Sequence, residues 1–339
     1  MKRILSAAFA AAMVLSCAQA PEKTASVNLI FETDMGNDID DAIALDMIYK
    51  YVDAGDVNLL AVNLNKGGQS PAEYVDIMNT WYGYPDVPVG ICHHAMQNEN
   101  HGYTAHVAGM KDAEGKPLFA RTVADVDALP DAVALYRKIL ASQPDNSVTI
   151  ASVGFSTNLV LLLDSPADSW SPLTGKELIA KKVKLLSVMA GGFTEEHRPE
   201  YNVLIDVPSA KKVFGEWPGE IVFSPWEVGD VIRYPATSIE NDFTWAKPAH
   251  PLAEAYKAYL EMPYDRQTWD PTAVLYAVEG GDWFTVSEPG CVTVDDEGAT
   301  FFSPSENGNR RILSVTETQA SSILEHFISI VTAKPAVWQ

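Results

Sequence analysis

The hydrophobic pattern of the chain alternates between short apolar runs and longer amphipathic stretches. Short runs rich in β-branched residues, which are typical of buried strands, cover residues 27–31, 58–63, 148–153, 183–189 and 220–223. Apolar residues recur at helical spacing near 41–52, 71–83, 130–141, 157–164 and 207–214, then from about 271 and over 318–333. Strands that alternate with helices predict an α/β fold with a mainly parallel central sheet flanked by helices.

A single domain is expected over residues 27–335, because no repeat, low-complexity tract or linker divides this part of the chain. The segment 235–268 is richer in Pro, Tyr and Trp, which favours an excursion over the binding site. Parallel sheets of this kind bind ligands beyond the carboxyl ends of their strands. We therefore expect the residues that carry chemistry to lie in loops that follow strands.

The first twenty residues are typical of an export signal. Two basic residues, Lys2 and Arg3, precede an apolar run and then small residues. The sequence AQA over 18–20 allows cleavage after it, whereas the motif VLSC resembles a lipoprotein box that ends at Cys17. The prediction is an exported protein, either periplasmic or anchored to a membrane by lipid on Cys17, and we favour the lipoprotein.

The charge of the chain excludes some classes of partner. It has 24 Lys and Arg against 45 Asp and Glu, a net charge of −21, which disfavours nucleic-acid polymers and anionic membrane surfaces. Apart from Cys17, the cysteines are Cys92 and Cys291, too few for a disulfide framework and without the paired spacing of a zinc or redox site. We expect both to be buried thiols.

Five carboxylates follow the first predicted strand within ten residues: Glu32, Asp34, Asp38, Asp40 and Asp41. Carboxylates confined in this way repel one another unless some are protonated or a cation lies among them. Oxygen ligands without Cys or His favour a hard ion, and Ca²⁺ tolerates the irregular geometry of a loop better than Mg²⁺. The spacing is not that of an EF-hand. The alternative is a solvated acidic turn in which Asp40 or Asp41 caps the following helix.

The sequence ETDMGNDIDDAIAL, over residues 32–45, resembles the N-terminal signature of the inosine-uridine-preferring nucleoside hydrolases. That signature is usually D-T-D-P-G-x-D-D-A-x-A-L. Glu32 replaces its first Asp, Met35 replaces its Pro, and Asn37 and Asp38 are additional. The resemblance therefore depends on the residues on both sides of a two-residue insertion.

The resemblance implies roles for the aspartates of this loop. Asp34 matches the family's catalytic Asp, and Asp40 and Asp41 match its Asp-Asp pair. Asp38 is an alternative to Asp40, because it follows Asp34 at the family's interval.

Later segments resemble the same family in the same order. ASVGFSTNLVLLL resembles P-T-G-P-L-T-N-I-A, whose backbone carbonyl binds calcium, and the matching residue is Val153. LLSVMAGGF resembles V-V-L-M-G-G-G-F and gives Met189. EYNV resembles A-E-F-N-I and gives Glu200 and Asn202 as ribose contacts. TWDPTAVLYA resembles H-D-P-L-A-V-A and gives Asp270 as a remote metal ligand.

The resemblance covers most of residues 27–285. It implies a nucleoside-hydrolase-like fold, a homo-oligomer, and calcium-dependent hydrolysis of ribonucleosides to ribose and free base, for salvage of external nucleosides. The implied Ca²⁺ ligands are Asp34, Asp41, Asp270 and the Val153 carbonyl, with Asp34 as the general base. The implied substrate contacts are Asp38, Asp40, Asn65, Met189, Glu200, Asn202 and, as a weaker candidate, Asn158.

Trp269 departs from the family pattern, which often has a His immediately before the metal-binding Asp. Trp cannot protonate a leaving base at neutral pH, but its ring can stack on one. His101, in NENHG, falls near a position where the family has a His-Gly that contacts the base, and it is the candidate catalytic acid. His93 and His94 are expected to be solvent or packing residues.

Two other classes of function compete with this interpretation. A strand followed by an acidic D-x-D-like motif resembles the haloacid-dehalogenase-type phosphatases, in which Glu32 would be the nucleophile, but the later motifs would then have no explanation. An exported binding protein that retains the calcium and ribose contacts without turnover is the second alternative, which the replacement of the family's His by Trp269 allows. Release of free ribose distinguishes the hydrolase from a binder, and release of phosphate identifies a phosphatase.

Overall fold

The computed structural model describes residues 26–97 and 101–339, so the predicted signal at 1–20 and Cys17 lie outside the described residues. The strands are β1 (Val27–Thr33), β2 (Val57–Leu64), β3 (Val89–Gly90), β4 (Val148–Ser152), β5 (Val183–Met189), β6 (Ile221–Ser224), β7 (Arg233–Tyr234), β8 (Arg266–Gln267), β9 (Thr285–Val286), β10 (Gly290–Val294), β11 (Thr300–Pro304) and β12 (Arg310–Ser314). The α-helices are α1 (Asp40–Ala54), α2 (Gln69–Trp81), α3 (Tyr103–Gly109), α4 (Ala132–Ser142), α5 (Thr157–Asp164), α6 (Gly175–Lys182), α7 (Tyr201–Ile205), α8 (Val207–Glu216), α9 (Trp226–Asp230), α10 (Ala236–Asn241), α11 (Pro251–Tyr259), α12 (Trp269–Glu279) and α13 (Glu317–Thr332).

The central sheet has the strand order β3–β2–β1–β4–β5–β6–β12–β10–β11, and β9 also pairs with β12. All pairs from β3 to β12 along this order are parallel, whereas β10 and β9 pair antiparallel with their neighbours. Strands β7 and β8 form a separate antiparallel pair. The predicted α/β fold with a mainly parallel central sheet in a single domain is confirmed.

Helices cover both faces of the sheet, because each strand alternates its apolar side chains between two cores. In β1, Leu29 and Phe31 belong to one core, together with residues of α1, α2, α11, α12 and α13. Ile30 belongs to the other, with residues of α4, α5, α6 and α8. Burial on both faces explains why the predicted strands form nearly continuous apolar runs.

The strand order reverses at β1. The chain builds β2 and β3 on one side of β1 and then crosses to place β4 on the other side. Loops that leave the carboxyl ends of β1 and β4 consequently diverge, which opens a crevice at this point. The acidic loop that begins at Asp34 follows β1 directly, and Val153 follows β4. The topology thus brings two of the sequence motifs to one edge of the sheet.

Several details of the structure were not predicted. The segment 235–268, expected as an excursion over the site, contains α10, α11 and β8, and its Tyr259 and Arg266 contact Asp38. Strands β9–β12 were not predicted, because they lack continuous apolar runs: β10 alternates buried and exposed residues, and β12 begins with two arginines. Cys92 is buried, as expected, but Cys291 is exposed, so the expectation of two buried thiols was wrong for Cys291. No helix in residues 26–97 or 101–339 is long and apolar enough to cross a bilayer.

Candidate active site

A cavity of about 400 Å³ lies at the carboxyl ends of the central strands. We call its buried part the floor, which comprises Asp34, Asn37, Asp41, Val153, Met189, Glu200, Asn202 and Asp270. We call its outer part the rim, which comprises His101, Arg198, Pro199, Tyr201, Leu204, Trp226 and Trp269. Asp38 also lines the cavity and is half-buried. The floor is rich in carboxylates, whereas the rim is aromatic and carries cationic groups.

A tight turn after β1 directs Asp34 into the floor. The Asn37 N–H donates to the Asp34 carbonyl at 3.1 Å, and Gly36 has a φ of 98°, a conformation that favours glycine. The buried Tyr103 hydroxyl accepts from the Gly36 N–H at 2.8 Å and donates to the Asp38 carbonyl at 2.8 Å. These bonds fix the insertion that separates this loop from the family signature.

Helix α1 begins immediately after the turn, with Asp40 and Asp41 in its first turn. Its N-cap is Ile39, which offers no side-chain bond, so the expectation that Asp40 or Asp41 caps this helix was wrong. Asp41 is instead held by the Thr33 hydroxyl, which donates to its Oδ1. The Thr33 hydroxyl also accepts from the Met35 N–H at 3.0 Å, so it connects the end of β1 to the acidic turn.

The floor carboxylates are buried close to one another. Burial raises the pKa of Asp34 to about 7, an effect that the charge of Lys66 opposes and that Asp38 and Asp40 reinforce. Burial, followed by the charges of neighbouring aspartates, raises the pKa of Asp41 and of Asp270 well above the ordinary range. Asp34, Asp41 and Asp270, which are distant along the chain, thus influence one another's ionisation.

The floor has the donor chemistry of a site for a hard cation. Among residues 26–97 and 101–339, no hydrogen-bond partner reaches the buried Asp34 Oδ2 and Asp41 Oδ2, or Asp40 Oδ1 beside them. Buried anionic oxygens without partners are costly, and a divalent ion would supply the missing charge. In the described ranges no group of three or more His, Cys, Asp or Glu side chains already has an arrangement that could hold a metal ion.

Arg266 neutralises the remaining carboxylates of the acidic loop. Its guanidinium lies 2.6 Å from Asp38 Oδ2 and 3.6 Å from Asp40 Oδ1. Asp38 Oδ1 also accepts from the Tyr259 hydroxyl at 2.8 Å. Burial raises the pKa of Asp40 to about 6, which the charge of Arg266 opposes. Asp40 Oδ2 accepts from the Asp270 N–H at 3.1 Å, so Asp40 connects the loop to the start of α12.

Asp38 and Asp40 therefore take different positions. Asp38 lines the cavity, whereas Asp40 is buried beside it and is not part of the cavity wall that the described residues form. The sequence left open which of the two has the family role, and the geometry favours Asp38 as the residue that a ligand can reach. Both assignments remain predictions.

Glu200 and Asn202 form the side of the floor below β5. Glu200 caps the short helix α7, with Oε1 accepting from the Asn202 N–H at 2.8 Å and Oε2 from the Gly191 N–H at 3.1 Å. Burial raises the pKa of Glu200 to about 7, which these amide donors oppose. The Asn202 amide donates to the carbonyls of Val153 and Met189 at 3.1 and 3.2 Å. Four predicted residues are thus joined by direct hydrogen bonds.

Asn65 and Asn158 are buried near the floor but are not part of the cavity wall formed by described residues. Asn65 donates to Glu32 at 3.3 Å, and Asn158 donates to the Leu64 carbonyl at 3.0 Å. Glu32 is also bonded by Tyr136, and its pKa is raised to about 7 by burial. These amides belong to a polar layer around Glu32, and their predicted sugar contacts stay predictions.

Trp269 begins α12 and is fixed on the rim. Its indole N–H donates to the Trp226 carbonyl at 2.9 Å, and the Arg266 guanidinium lies 4.9 Å from its ring centroid. A Cβ on Gly229 would lie 2.4 Å from the Trp269 Cα, so only glycine allows α9 to approach this closely. Asp270, the next residue, lies in the floor, so the first two residues of α12 belong to the rim and the floor respectively.

His101 lies on the rim, with its ring centroid 4.7 Å from that of Tyr259. It is exposed, which suits proton exchange with solvent. His93 and His94 are exposed as well and do not line this cavity. The structure therefore places the candidate acid in the exposed, outer part of the cavity wall.

Sequence analysis did not find several residues of the site, namely Asn37, Arg198, Tyr201, Leu204, Trp226 and Arg266. Arg266 lies three residues before Trp269 in the sequence and pairs with the acidic loop in the fold. The signal that could have identified it is the need of five clustered carboxylates for a positive partner, together with its position next to the TWDP motif. Arg198 and Trp226 come from loops without a recognisable motif. Only the fold brings them together.

Comparison with known proteins identifies the class. The family model described as inosine-uridine preferring nucleoside hydrolase matches residues 29–323. Similar solved structures include a plant nucleoside hydrolase, with 17% identity and a TM-score of 0.66 over 91% of this chain and 99% of that one. A purine-preferring ribonucleoside hydrolase from Gardnerella vaginalis has 16% identity and a TM-score of 0.66, over 90% and 98% of the two chains. An inosine-uridine preferring enzyme from Bacillus anthracis has 17% identity and a TM-score of 0.64, over 90% and 99%.

No curated protein matches the sequence. The matched region nevertheless covers most of the chain, and the solved structures share its fold. The protein is therefore a hydrolase of the class that acts on N-glycosidic bonds. It belongs to the inosine-uridine preferring nucleoside hydrolase family, whose members in general depend on a metal and take small nucleoside substrates.

Proposed function

We propose that this protein hydrolyses ribonucleosides to ribose and free base in a calcium-dependent reaction. One observation carries the proposal: Asp270 meets Asp34 and Asp41 in the floor of one cavity although it is far from them in sequence. Asp34 and Asp41 each have a buried oxygen that no described residue bonds. A cation and a polyhydroxylated sugar are ligands that provide such partners.

The residues that would hold Ca²⁺ are Asp34, Asp41, Asp270 and the Val153 carbonyl. The Val153 oxygen accepts one hydrogen bond, from Asn202, and retains a second lone pair. When bound, the ion supplies Lewis acidity to water and a template for the sugar hydroxyls. All four groups are oxygen donors, which is the chemistry that Ca²⁺ prefers.

The other floor residues would orient the sugar. Glu200 Oε1 accepts the Asn202 N–H and has a second lone pair that can accept a sugar hydroxyl, whereas Oε2 already accepts the N–H groups of Gly191 and Val203. The Asn202 amide nitrogen is committed to two carbonyls, which leaves its Oδ1 to accept from the sugar. Asp38 reaches the cavity while Arg266 and Tyr259 hold it in place. This ring of acceptors suits ribose better than 2′-deoxyribose.

Asp34 would act as general base for water that attacks C1′. The C1′–N bond breaks in a transition state that resembles an oxocarbenium ion, as in glycoside hydrolysis. The water proton passes to Asp34, and the electron pair of the broken bond passes to the base. Trp269 supports the base by stacking, and His101 is the proposed source of its proton. The floor thus serves the sugar and the rim serves the base.

We also propose export, with cleavage at the predicted signal or lipid on Cys17, and a homo-oligomeric assembly. The signal pattern of the first twenty residues supports export. The implied role is salvage of nucleosides outside the cytoplasm. Globomycin treatment of producing cells tests the lipoprotein branch, because it blocks maturation at Cys17 and leaves cleavage after Ala20 unaffected.

The test is a nucleoside panel assayed for reducing sugar, with and without a chelator. Two proteins of similar structure are a purine-preferring and an inosine-uridine preferring hydrolase, so the panel includes inosine, guanosine, adenosine, uridine and cytidine. We expect turnover of a ribonucleoside, little on its 2′-deoxy analogue, and loss with the chelator that Ca²⁺ restores. D270A should lose activity, whereas D296A, at an exposed carboxylate, should not.

Two results would contradict the proposal. Saturable binding of nucleosides without release of ribose would identify a binding protein, and phosphate release from sugar phosphates would identify a phosphatase. Full activity in excess chelator would remove calcium from the proposal while leaving the hydrolase in place.

A further inference from the structure

Arg198 is held above the outer part of the cavity by stacking. Its guanidinium carbon lies 4.6 Å from the centroid of the Trp226 ring, a distance at which the cation is attracted to the aromatic face. Arg198 is exposed and lines the cavity. In the described parts of the chain, no carboxylate lies within 4 Å of its guanidinium. Its guanidinium is therefore available to a ligand in the cavity.

The loop that carries Arg198 is anchored before the arginine. The Gly192 N–H donates to the Thr300 hydroxyl at 3.0 Å, and the Phe193 N–H donates to Glu227 at 2.9 Å. The Trp226 N–H donates to the Gly191 carbonyl at 2.9 Å. The backbone of residues 191–193 is thus bonded to the Trp226 loop, and Arg198 follows this anchored stretch in the chain.

The charges of the cavity are separated. Asp34, Asp41, Glu200 and Asp270 lie in the floor, while Arg198 is the one arginine among the described residues of the wall. Arg266 forms ion pairs with Asp38 and Asp40 and is not part of the wall that the described residues form. A ligand whose sugar lies in the floor would therefore present its base to Arg198.

Cleavage of the C1′–N bond leaves the electron pair on the base, so negative charge develops at the rim. Trp269 occupies the position where many family members have an acid, and its N–H is already donated to the Trp226 carbonyl. An arginine has five N–H donors and remains charged, which suits a pair of acceptors such as a carbonyl oxygen beside a ring nitrogen. Such a group stabilises charge without giving up a proton.

We propose that Arg198 is a catalytic residue that binds the acceptor edge of the departing base and stabilises its negative charge. This inference rests on the proposed function. Water oxygen bonds to C1′, its proton goes to Asp34, the electron pair of the C1′–N bond goes to the base, and the base then takes a proton from His101 or solvent. The donors of Arg198 match the O6 and N7 acceptors of a 6-oxopurine and clash with the 6-amino group of adenine.

The experiment compares two substrates whose leaving groups differ in how much they depend on stabilisation of negative charge by the protein. Inosine requires stabilisation of its base, whereas 4-nitrophenyl β-D-riboside has a leaving group that departs readily as an anion. We expect R198A to reduce kcat/KM for inosine about 10²- to 10³-fold, the range for loss of one donor to a developing anion, and for the nitrophenyl riboside less than about fivefold. The ratio of inosine to adenosine turnover should fall as well.

The controls separate chemistry from structure. R198K retains the charge but not the paired donors, so its inosine activity should lie between wild type and R198A. Added guanidinium should restore inosine hydrolysis by R198A and leave the nitrophenyl riboside unaffected. K138A is the matched control, because Lys138 lies 5.3 Å from the centroid of the exposed Trp170 ring outside the cavity, and it should behave as wild type.

Two outcomes would overturn the inference while the hydrolase stands. An equal loss on both substrates would make Arg198 a residue that shapes the sugar site, and no loss on either would give it no part in the reaction. A wild-type protein that cleaves neither substrate would overturn the proposed function, and Arg198 with it.

Discussion

The floor and the rim of the cavity differ in burial although they share elements. Helix α7 carries Asn202 in the floor and Tyr201 and Leu204 on the rim, and α12 begins with Trp269 on the rim and Asp270 in the floor. Floor residues are almost inaccessible to solvent, whereas many rim residues are exposed, with Leu204 at 50% and Tyr201 at 39%. The floor is therefore held on all sides by packed neighbours, whereas the rim depends more on contacts between loops.

This contrast teaches where specificity and chemistry reside. A rigid floor can hold several carboxylates together despite their repulsion, because each is attached to a separate buried element. A rim built from loops can vary without disturbing the sheet. We expect substitutions in the floor to lower the rate at which water attacks the sugar. Substitutions in the rim should change how the base is bound and how readily it departs.

The largest expected effect is at Asp34. D34A should lower kcat about 10²- to 10⁴-fold, the range for a positioned general base, with a much smaller change in KM. The measurement is steady-state release of ribose from the best nucleoside, beside D296A as an exposed-carboxylate control. Undiminished turnover by D34A would show that Asp34 is not the general base. The proposed difference between the floor and the rim would then be wrong.

Sequence predicted the floor well, for a physical reason. Carboxylates directly after a buried strand, such as Asp34, must lie at the edge of the sheet, and strand order then brings Val153 and Met189 beside them. A cluster of carboxylates is also destabilised by mutual repulsion unless it binds a cation, so its presence in a sequence indicates a binding site. What sequence could not provide was the separation of Asp38 from Asp40, because it depends on Arg266 and Tyr259.

The second effect is on stability and concerns Glu200. Burial raises its pKa from 4.5 to about 7. Because the folded state binds this proton more tightly than the unfolded chain does, the stabilisation is complete below pH 4.5 and is lost as the pH rises through 7. The difference of about 2.5 between the two pKa values corresponds to about 3 kcal/mol at most.

Urea unfolding of the metal-free protein between about pH 5 and pH 8 measures this loss. E200Q cannot ionise, so its free energy of unfolding should decline less steeply than that of the wild type, by about 2–3 kcal/mol over this interval. Equal declines of the free energy of unfolding in the two proteins would show that Glu200 is ionised over the whole interval. Burial would then not raise its pKa, and the prediction would be wrong. The slope is the readout, because E200Q also weakens the bonds from Gly191 and Val203.

The rim was predicted less completely, since its residues have no common pattern. Trp269 was found because it adjoins the Asp270 motif, and His101 because a His-Gly pair resembles the family. Arg198 lies between two aligned motifs but belongs to neither, Trp226 lies outside all of them, and their contact depends on a backbone hydrogen bond between the two loops. Exposed loops leave no hydrophobic periodicity from which such contacts could be inferred.

A smaller effect is expected for Trp269. Stacking of a base on an aromatic ring contributes about 1–3 kcal/mol, so W269A should lower kcat/KM for nucleosides about 5- to 100-fold. W269F keeps a ring and should retain most of the activity. G229A, which places a methyl group against Trp269, should resemble W269A if the position of the ring matters. Equal activity of W269A and wild type would show that the base does not touch this side of the rim.

The smallest effect is expected for the hydroxyl of Tyr201. This group donates to Gln97 at 2.8 Å on the exposed rim, where a hydrogen bond exchanges with water and contributes about 1 kcal/mol or less. Y201F should therefore change kcat/KM by less than about threefold, whereas Y201A also removes the ring that packs 6.1 Å from Phe155 and should lose more. A loss in Y201F as large as that in Y201A would mean that the hydroxyl touches the substrate, and Tyr201 would then join Arg198 and His101 as a polar contact on the rim.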